Sequence, residues 1–430
     1  MSKNLIYFKK YEIIYEYFLK NKIFFIIFFS FFLTRYFFNF FLGNDHFELQ
    51  IDSYWYSGQS DEIIKGNLNL ERQFFITAPF FPYFQALIKI IGGNFWKEFL
   101  YFLQLLISSI AGFYFYKLSL LIFKDRKGSI LSTLIFCFYP FTLWWTGTFT
   151  QDIWFQSFLI IFLFYFINFL QTKKASILIK SAILFAFVYL TKSHILLFSP
   201  FIPLIIIFYH KGNYINKLKH IIIFTTISLL FTLPYGLYNL KVNNVYALSS
   251  AGWGATFLLG HNDDAYLNHI NTPDRNSEEA QRLRFFEYKV LDELEESLER
   301  ADFNTKNEIY VSAGLKWIKE NPKKNLDLLF FNIKRFFMPG LHKSWYSFNK
   351  WVFSLIITVP IYILAYMGIV YNFVKKPREH YWIIFLMLSL FVFSVGFYFQ
   401  GRFRVITLEP FYILYAGFML QTLLTRIFKK

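Results

Sequence analysis

FFIIFFSFFLTRYFFNFFLG, residues 24–43, followed closely by LQIDSYWYSGQSDEII, residues 49–64, sets the reading of the whole chain. The first stretch is apolar except for Arg35 and a few small polar residues, and it has the length of about 20 residues that an α-helix needs to cross hydrocarbon. The second places Asp52 beside tyrosines and a tryptophan. A carboxylate therefore stands within a few residues of a membrane surface, where it is either a solvated boundary charge or a reactive group.

The rest of the chain repeats the first pattern. Of 430 residues, 56% are hydrophobic, 23% aromatic and 17% charged, and the mean hydropathy is +0.37. A soluble domain carries about 25% charged residues. Apolar runs over 23–43, 98–123, 129–146, 152–170, 177–191, 194–209, 220–240, 349–373, 381–399 and 405–425 predict an all-α polytopic membrane protein of about ten transmembrane helices. The fifth and sixth runs are short and meet at TKSH, residues 191–194. Residues 23–42 are too long for a typical signal-peptide core and no small-residue cleavage site follows, so the segment reads as a retained first span.

Charge gives the orientation. With the N-terminus inside, the expected cytoplasmic pieces (1–22, KDRKG, QTKK, YHKGNYINKLK, VKKPREH and RIFKK) carry 19 Lys and Arg, against 3 in the short outer connections. Such an asymmetry is the positive-inside pattern. It also accounts for the net charge of +16 without a nucleic-acid partner. The expected organisation is an N-terminal transmembrane module over 1–240 with a first outer loop at 44–97, an outer region at 241–348, and C-terminal transmembrane helices over 349–430. Within the first loop, APFFPYFQALIKIIGG reads as a Pro-entered amphipathic helix stopped at Gly92-Gly93. Within the second, Asn276 with Glu279 and Thr305 with Glu308 stand at capping-box spacing. Asn321-Pro322 starts a further helix, whose Leu326, Leu329, Phe330, Ile333, Phe336 and Phe337 form an apolar face for the membrane interface.

Charges at membrane depth are costly and prompt a functional reading. On the outer side these are Asp52, Asp152 at the start of the fourth run, Lys192 with His194 between the fifth and sixth, and Arg402 with Arg404 before the last. Two carboxylates facing several cations suit a site that binds a phosphate and moves a proton. Arg402 and Arg404 share one side of an extended segment, but at helical pitch they diverge by about 200° and only one reaches the site. Each charge taken alone has a bland reading as a solvated span end. No HExxH, phosphate loop or dinucleotide-binding glycine pattern is present. The lone Cys137 allows neither an intrachain disulfide nor a cysteine metal site. His46, Glu48 and Asp52 read as a connector in preference to metal ligands. No cofactor is implied, and a divalent metal is left open.

Taken in order, several stretches resemble the C-type superfamily of bacterial membrane glycosyltransferases, on the side of the aminoarabinose transferases and protein O-mannosyltransferases. QIDSYWYSGQSDEIIKGN is similar to that family's first outer loop, and TAPFFPYFQALIKIIGG to its amphipathic segment. YPFTLWWTGTFTQDIWF resembles the passage where an acid opens the fourth span, and LTKSHILLFSP a Leu-Thr-Arg-Pro-like turn with Lys192 in place of Arg. YALSSAGWGATFLLGHNDDA is similar to a Gly-rich stretch ending here in His261 and Asn262. ENPKKNLDLLFFNIKRFFMP and GRFRVITLEPFYILYAGF resemble the late outer helix and last span. The resemblance implies a multi-pass protein of the inner membrane with a periplasmic active site, a polyprenyl-phosphate sugar donor, and a lipid, glycan or protein acceptor. It implies catalytic roles for Asp52, as general base, and Asp152. Tyr56, Lys192, His194, His261, Asn262, Arg402 and Arg404 are the expected substrate-binding residues. The competing reading is a transporter or a lipid or oligosaccharide flippase. Two large outer segments and the lack of a visible inverted repeat weigh against it.

Overall fold

The computed structural model describes residues 21–41, 49, 51–71, 75–209, 213–274, 276–284, 288–299, 301–398 and 400–428. Most of the expected N-terminal cytoplasmic piece, and His46 and Glu48, lie outside the described residues. The first half contains α1 (Lys22–Phe41), α2 (Ile51–Ile64), α3 (Phe80–Gly92), α4 (Trp96–Phe123), α5 (Arg126–Cys137), α6 (Pro140–Gly147), α7 (Asp152–Thr172), α8 (Ala175–Thr191), α9 (Phe201–Tyr209) and α10 (Tyr214–Asn243). The second contains α11 (Trp253–Gly260), α12 (Asp263–His269), α13 (Glu278–Arg284), α14 (Lys289–Glu299), α15 (Phe303–Glu320), α16 (Pro322–Phe337), α17 (Phe348–Lys375), α18 (Pro377–Gly396), α19 (Gly401–Thr407) and α20 (Glu409–Ile427). Among the described residues the only extended pairings are isolated bridges of Ile76 with Glu71 and Ala251.

Among the described residues, six helical stretches are long and apolar enough to cross a membrane: α1, the joined α3–α4, α7, α10, α17 and α18. Two further pairs, α5–α6 and α19–α20, qualify together but bend by 52° and 54°, giving up to eight. Pro140 and Pro410 enter the second helix of each pair, where a missing N–H breaks the ladder. The remaining two of the ten expected spans are the short ones. α8 and the Ser193–Tyr209 stretch, a 3₁₀ turn running into α9, fall below the span length because the turn at 191–194 divides them. A helix of 17 residues reaches only about 25 Å.

The bundle packs α4, α5, α7, α8, α18 and α20 around Phe115, Phe136, Phe162, Leu163, Trp382 and Tyr415. Without a hydrophobic driving force between helices in lipid, close approach depends on small residues. A β-carbon on Gly417 would strike the backbone of Ser132, and one on Gly368 would sit 2.7 Å from the carbonyl oxygen of Tyr415. The two expected outer segments meet where Ile76 and Ala251 exchange N–H to O bonds of 3.0 Å. α2 is tied to α3 by Lys89, which reaches Asp61 at 2.6 Å and the Ser57 hydroxyl at 2.8 Å.

Local signals held in part. α3 ends at Gly92, and Gly93 takes φ +50°, as the double glycine implies. Two caps differ from expectation. Ser277, not Asn276, accepts from the Ala280 N–H, and Asp302, not Thr305, caps α15 by accepting from the Thr305 N–H. In each case an oxygen-bearing residue nearer the true start wins the free N–H groups of the first turn. α16 begins at Pro322, and Leu326, Phe330 and Phe337 remain exposed while Leu328, Asn332 and Phe336 are buried.

Candidate active site

Helix starts place the two acids. Asp52 stands in the first turn of α2 and Asp152 in the first turn of α7, where unpaired N–H groups and the macrodipole favour negative charge. The cations come from helix boundaries on other elements: Lys192 follows the last residue of α8 in extended backbone, and Arg402 lies in the first turn of α19.

These four side chains meet as two ion pairs. Lys192 Nζ is 3.0 Å from Asp152 Oδ1, and the two side chains are 5% and 1% exposed. Thr150 Oγ1 donates to the other oxygen of Asp152 at 2.7 Å. Desolvation makes such a buried pair costly to break: removing one partner typically costs about 3–5 kcal/mol. The second pair joins Arg402 Nη1 to Asp52 Oδ2 and is more open, with 27% and 33% of the side chains exposed. The cation of each pair packs against Phe403. Lys192 Nζ lies 4.9 Å from its ring centroid and Arg402 Cζ 5.7 Å. Arg402 also lies within electrostatic reach of Asp152 and Tyr56, and its Nε donates to Gln400 Oε1 at 2.9 Å. Two acids and two cations leave the cluster formally neutral, closed on the Lys192 side and open on the Arg402 side.

Not every expected site residue joins it. Residues 401–407 are helical, so Arg402 and Arg404 diverge. Arg404 Nη1 donates to the carbonyls of Arg335 and Met338, each at 2.6 Å, and its Nε lies 3.3 Å from Glu409. Tyr139 and Tyr362 donate to the same Glu409 at 2.6 and 2.7 Å. Arg404 thus closes the end of α16 and the α19–α20 bend, away from Asp52. His194 packs among Phe155, Phe393 and Phe403, and its Nε2 is 3.2 Å from Thr407 Oγ1. His261 stacks on Phe257, with its Nδ1 2.8 Å from the Phe257 carbonyl oxygen. Asn262 is buried as the cap of α12, accepting from the Ala265 N–H at 2.7 Å. Tyr56 sits one turn beyond Asp52 on α2, edge-on to Phe81. Asp61 and Glu62 pair with Lys89 and Lys65.

Sequence reasoning passed over Thr150 and Gln400, which lie two residues before Asp152 and Arg402, so proximity to marked charges was the available signal. No group of three or more His, Cys, Asp or Glu suited to a metal occurs among the described residues.

Comparison with known proteins bears on this geometry. Residues 77–238 match the family of dolichyl-phosphate-mannose-protein mannosyltransferases. No curated protein matches the chain by sequence. Two solved structures of an archaeal oligosaccharyltransferase from Archaeoglobus fulgidus share its fold. One is tethered to an acceptor peptide containing the NVT sequon, with a TM-score of 0.51 and 14% identity, over 87% of this chain and 45% of that one. The other, AglB in complex with an inhibitory peptide and a dolichol-phosphate, has a TM-score of 0.51 and 13% identity, over 90% and 47%. The chain spans about half the length of these structures.

Proposed function

We propose that this chain is a membrane glycosyltransferase of the C-type superfamily that moves a sugar from a polyprenyl-phosphate donor to an acceptor hydroxyl, with Asp52 as general base, a reading supported by the partial family match and the shared fold. The observation that carries this reading is the half-open Asp52–Arg402 pair backed by the closed Asp152–Lys192 pair. The acceptor oxygen attacks the anomeric carbon, the bond from that carbon to the phosphate oxygen breaks, and its electron pair leaves with the polyprenyl phosphate. Asp52 takes the acceptor's proton. Arg402 presents a planar fork to the phosphate oxygens, and its charge is worth most as negative charge grows on the leaving group. Lys192 adds positive potential from beside Phe403, held by Asp152, which Thr150 in turn anchors. Tyr56, next to Asp52 on the same helix face, supplies a hydroxyl for the sugar.

His194, His261, Asn262 and Arg404 take structural roles in this reading, in keeping with their protein partners. The positive-inside charge pattern supports a chamber on the outer, periplasmic face of the inner membrane. The dolichol-phosphate held by a protein of the same fold supports a lipid-linked donor here, with a lipid, glycan or protein as acceptor. Purified protein in lipid vesicles, given polyprenyl-phosphate hexose and an envelope-lipid and glycan extract, is expected to release free polyprenyl phosphate. Donor that crosses the vesicle bilayer intact would instead identify a flippase.

A further inference from the structure

The Asp52–Arg402 contact raises a chemical conflict. A carboxylate bonded to a guanidinium has an oxygen occupied by that contact, and that oxygen cannot at the same time take the proton of an acceptor hydroxyl. Yet the pair occupies the open side of the cluster, where both donor phosphate and acceptor hydroxyl must arrive. The other groups cannot relieve it. Lys192 is committed to Asp152 at 3.0 Å, both nearly fully buried, and Arg404 is committed to Glu409 and backbone carbonyls. Arg402 is therefore the cation within this group left free to exchange partners. Its position is fixed independently of Asp52, because Nε bonds Gln400 and the guanidinium lies against Phe403. Gln400 Nε2 is in turn 3.3 Å from the Tyr398 hydroxyl.

We infer that Asp52 and the donor phosphate compete for Arg402, so that donor binding is what frees Asp52 to act as a base. This rests on the function proposed above and deepens it by assigning an order: donor first, acceptor hydroxyl second. Before a phosphate arrives, Arg402 holds an oxygen of Asp52. When a phosphate takes the fork, the Asp52 carboxylate is released beside the donor and engages a hydroxyl only once there is a sugar to transfer. Binding linkage then requires that acceptor and donor promote each other's affinity by the same factor.

Competition has an unusual signature: removing the base should tighten the donor site. Sugar-free polyprenyl phosphate is the probe, because it binds without turnover. Its affinity is measured for the full-length protein in nanodiscs, for wild type, Asp52→Asn, Arg402→Gln and the double variant. Asp52→Asn is expected to bind about tenfold more tightly than wild type, or ~1.4 kcal/mol. Arg402→Gln binds more weakly, and adding Asp52→Asn to it brings little of that gain. The double-mutant comparison separates exchange at Arg402 from simple repulsion between carboxylate and phosphate, which would persist without the arginine. An unchanged or weaker affinity for Asp52→Asn, or an equal gain in both backgrounds, overturns the exchange while leaving the transferase reading intact. Wild-type protein with no measurable affinity for polyprenyl phosphate overturns both. Thermal melting of each variant checks that it is folded.

Discussion

At the scale of single residues, placement against helix ends does most of the chemistry. Asp152 and Lys192 are both buried, so their charges are tolerable only as a pair. Asp152→Asn or Lys192→Met alone is expected to destabilise the protein by about 3–5 kcal/mol, whereas the double variant loses markedly less. Thermal melting in one detergent across the four proteins checks this, and additive losses would contradict it. The charges themselves were legible in the sequence, since an acid or base beside an apolar run is visible on inspection. Their partners were not. FQGRFRV leaves open whether both arginines point one way, and only the backbone of 401–407 decides it. A helix sends Arg402 to Asp52 and Arg404 to Glu409. For the same reason His194, His261 and Asn262 read as ligands from sequence, although each finds a protein partner once folded.

At the scale of elements, apolar run length located the long helices well and their interruptions poorly. Pro140 and Pro410 mark the two bends, yet a hydropathy window averages across them. In the region between α11 and α17, rings from several short elements gather. His269 stacks on Phe331 and lies near Trp345, and His342 contacts Phe331 and Trp345. Burial pushes His269 down to about 3 and His342 to about 4, so both are neutral near pH 7. Unfolded histidines take up protons near pH 6.5. The stabilisation from keeping these rings neutral is therefore full above about pH 6.5 and is lost as pH falls toward 4. Melting temperature should drop on acidification from pH 7.5 to 5, and the drop should be smaller in His269→Phe. Parallel curves for the two proteins would count against this account.

At the scale of the whole molecule, composition carried the class, because bilayer thickness acts on the chain directly, and the charge asymmetry supplies the expected orientation through the positive-inside bias. The convergence of Asp52, Asp152, Lys192 and Arg402 from distant parts of the chain is a long-range outcome that no local pattern encodes. Orientation has a direct check. Single cysteines at Lys65 and Ser297, both exposed positions, in a Cys137→Ala background, are expected to react with an impermeant thiol reagent in intact cells; labelling only after lysis would reverse the topology. The most direct test of the central claim is the single-turnover rate of Asp52→Asn with donor already bound. If Asp52 is the general base, sugar transfer falls by about 10²–10⁴ while donor affinity is retained or increased. Transfer at the wild-type rate with donor bound would contradict that role.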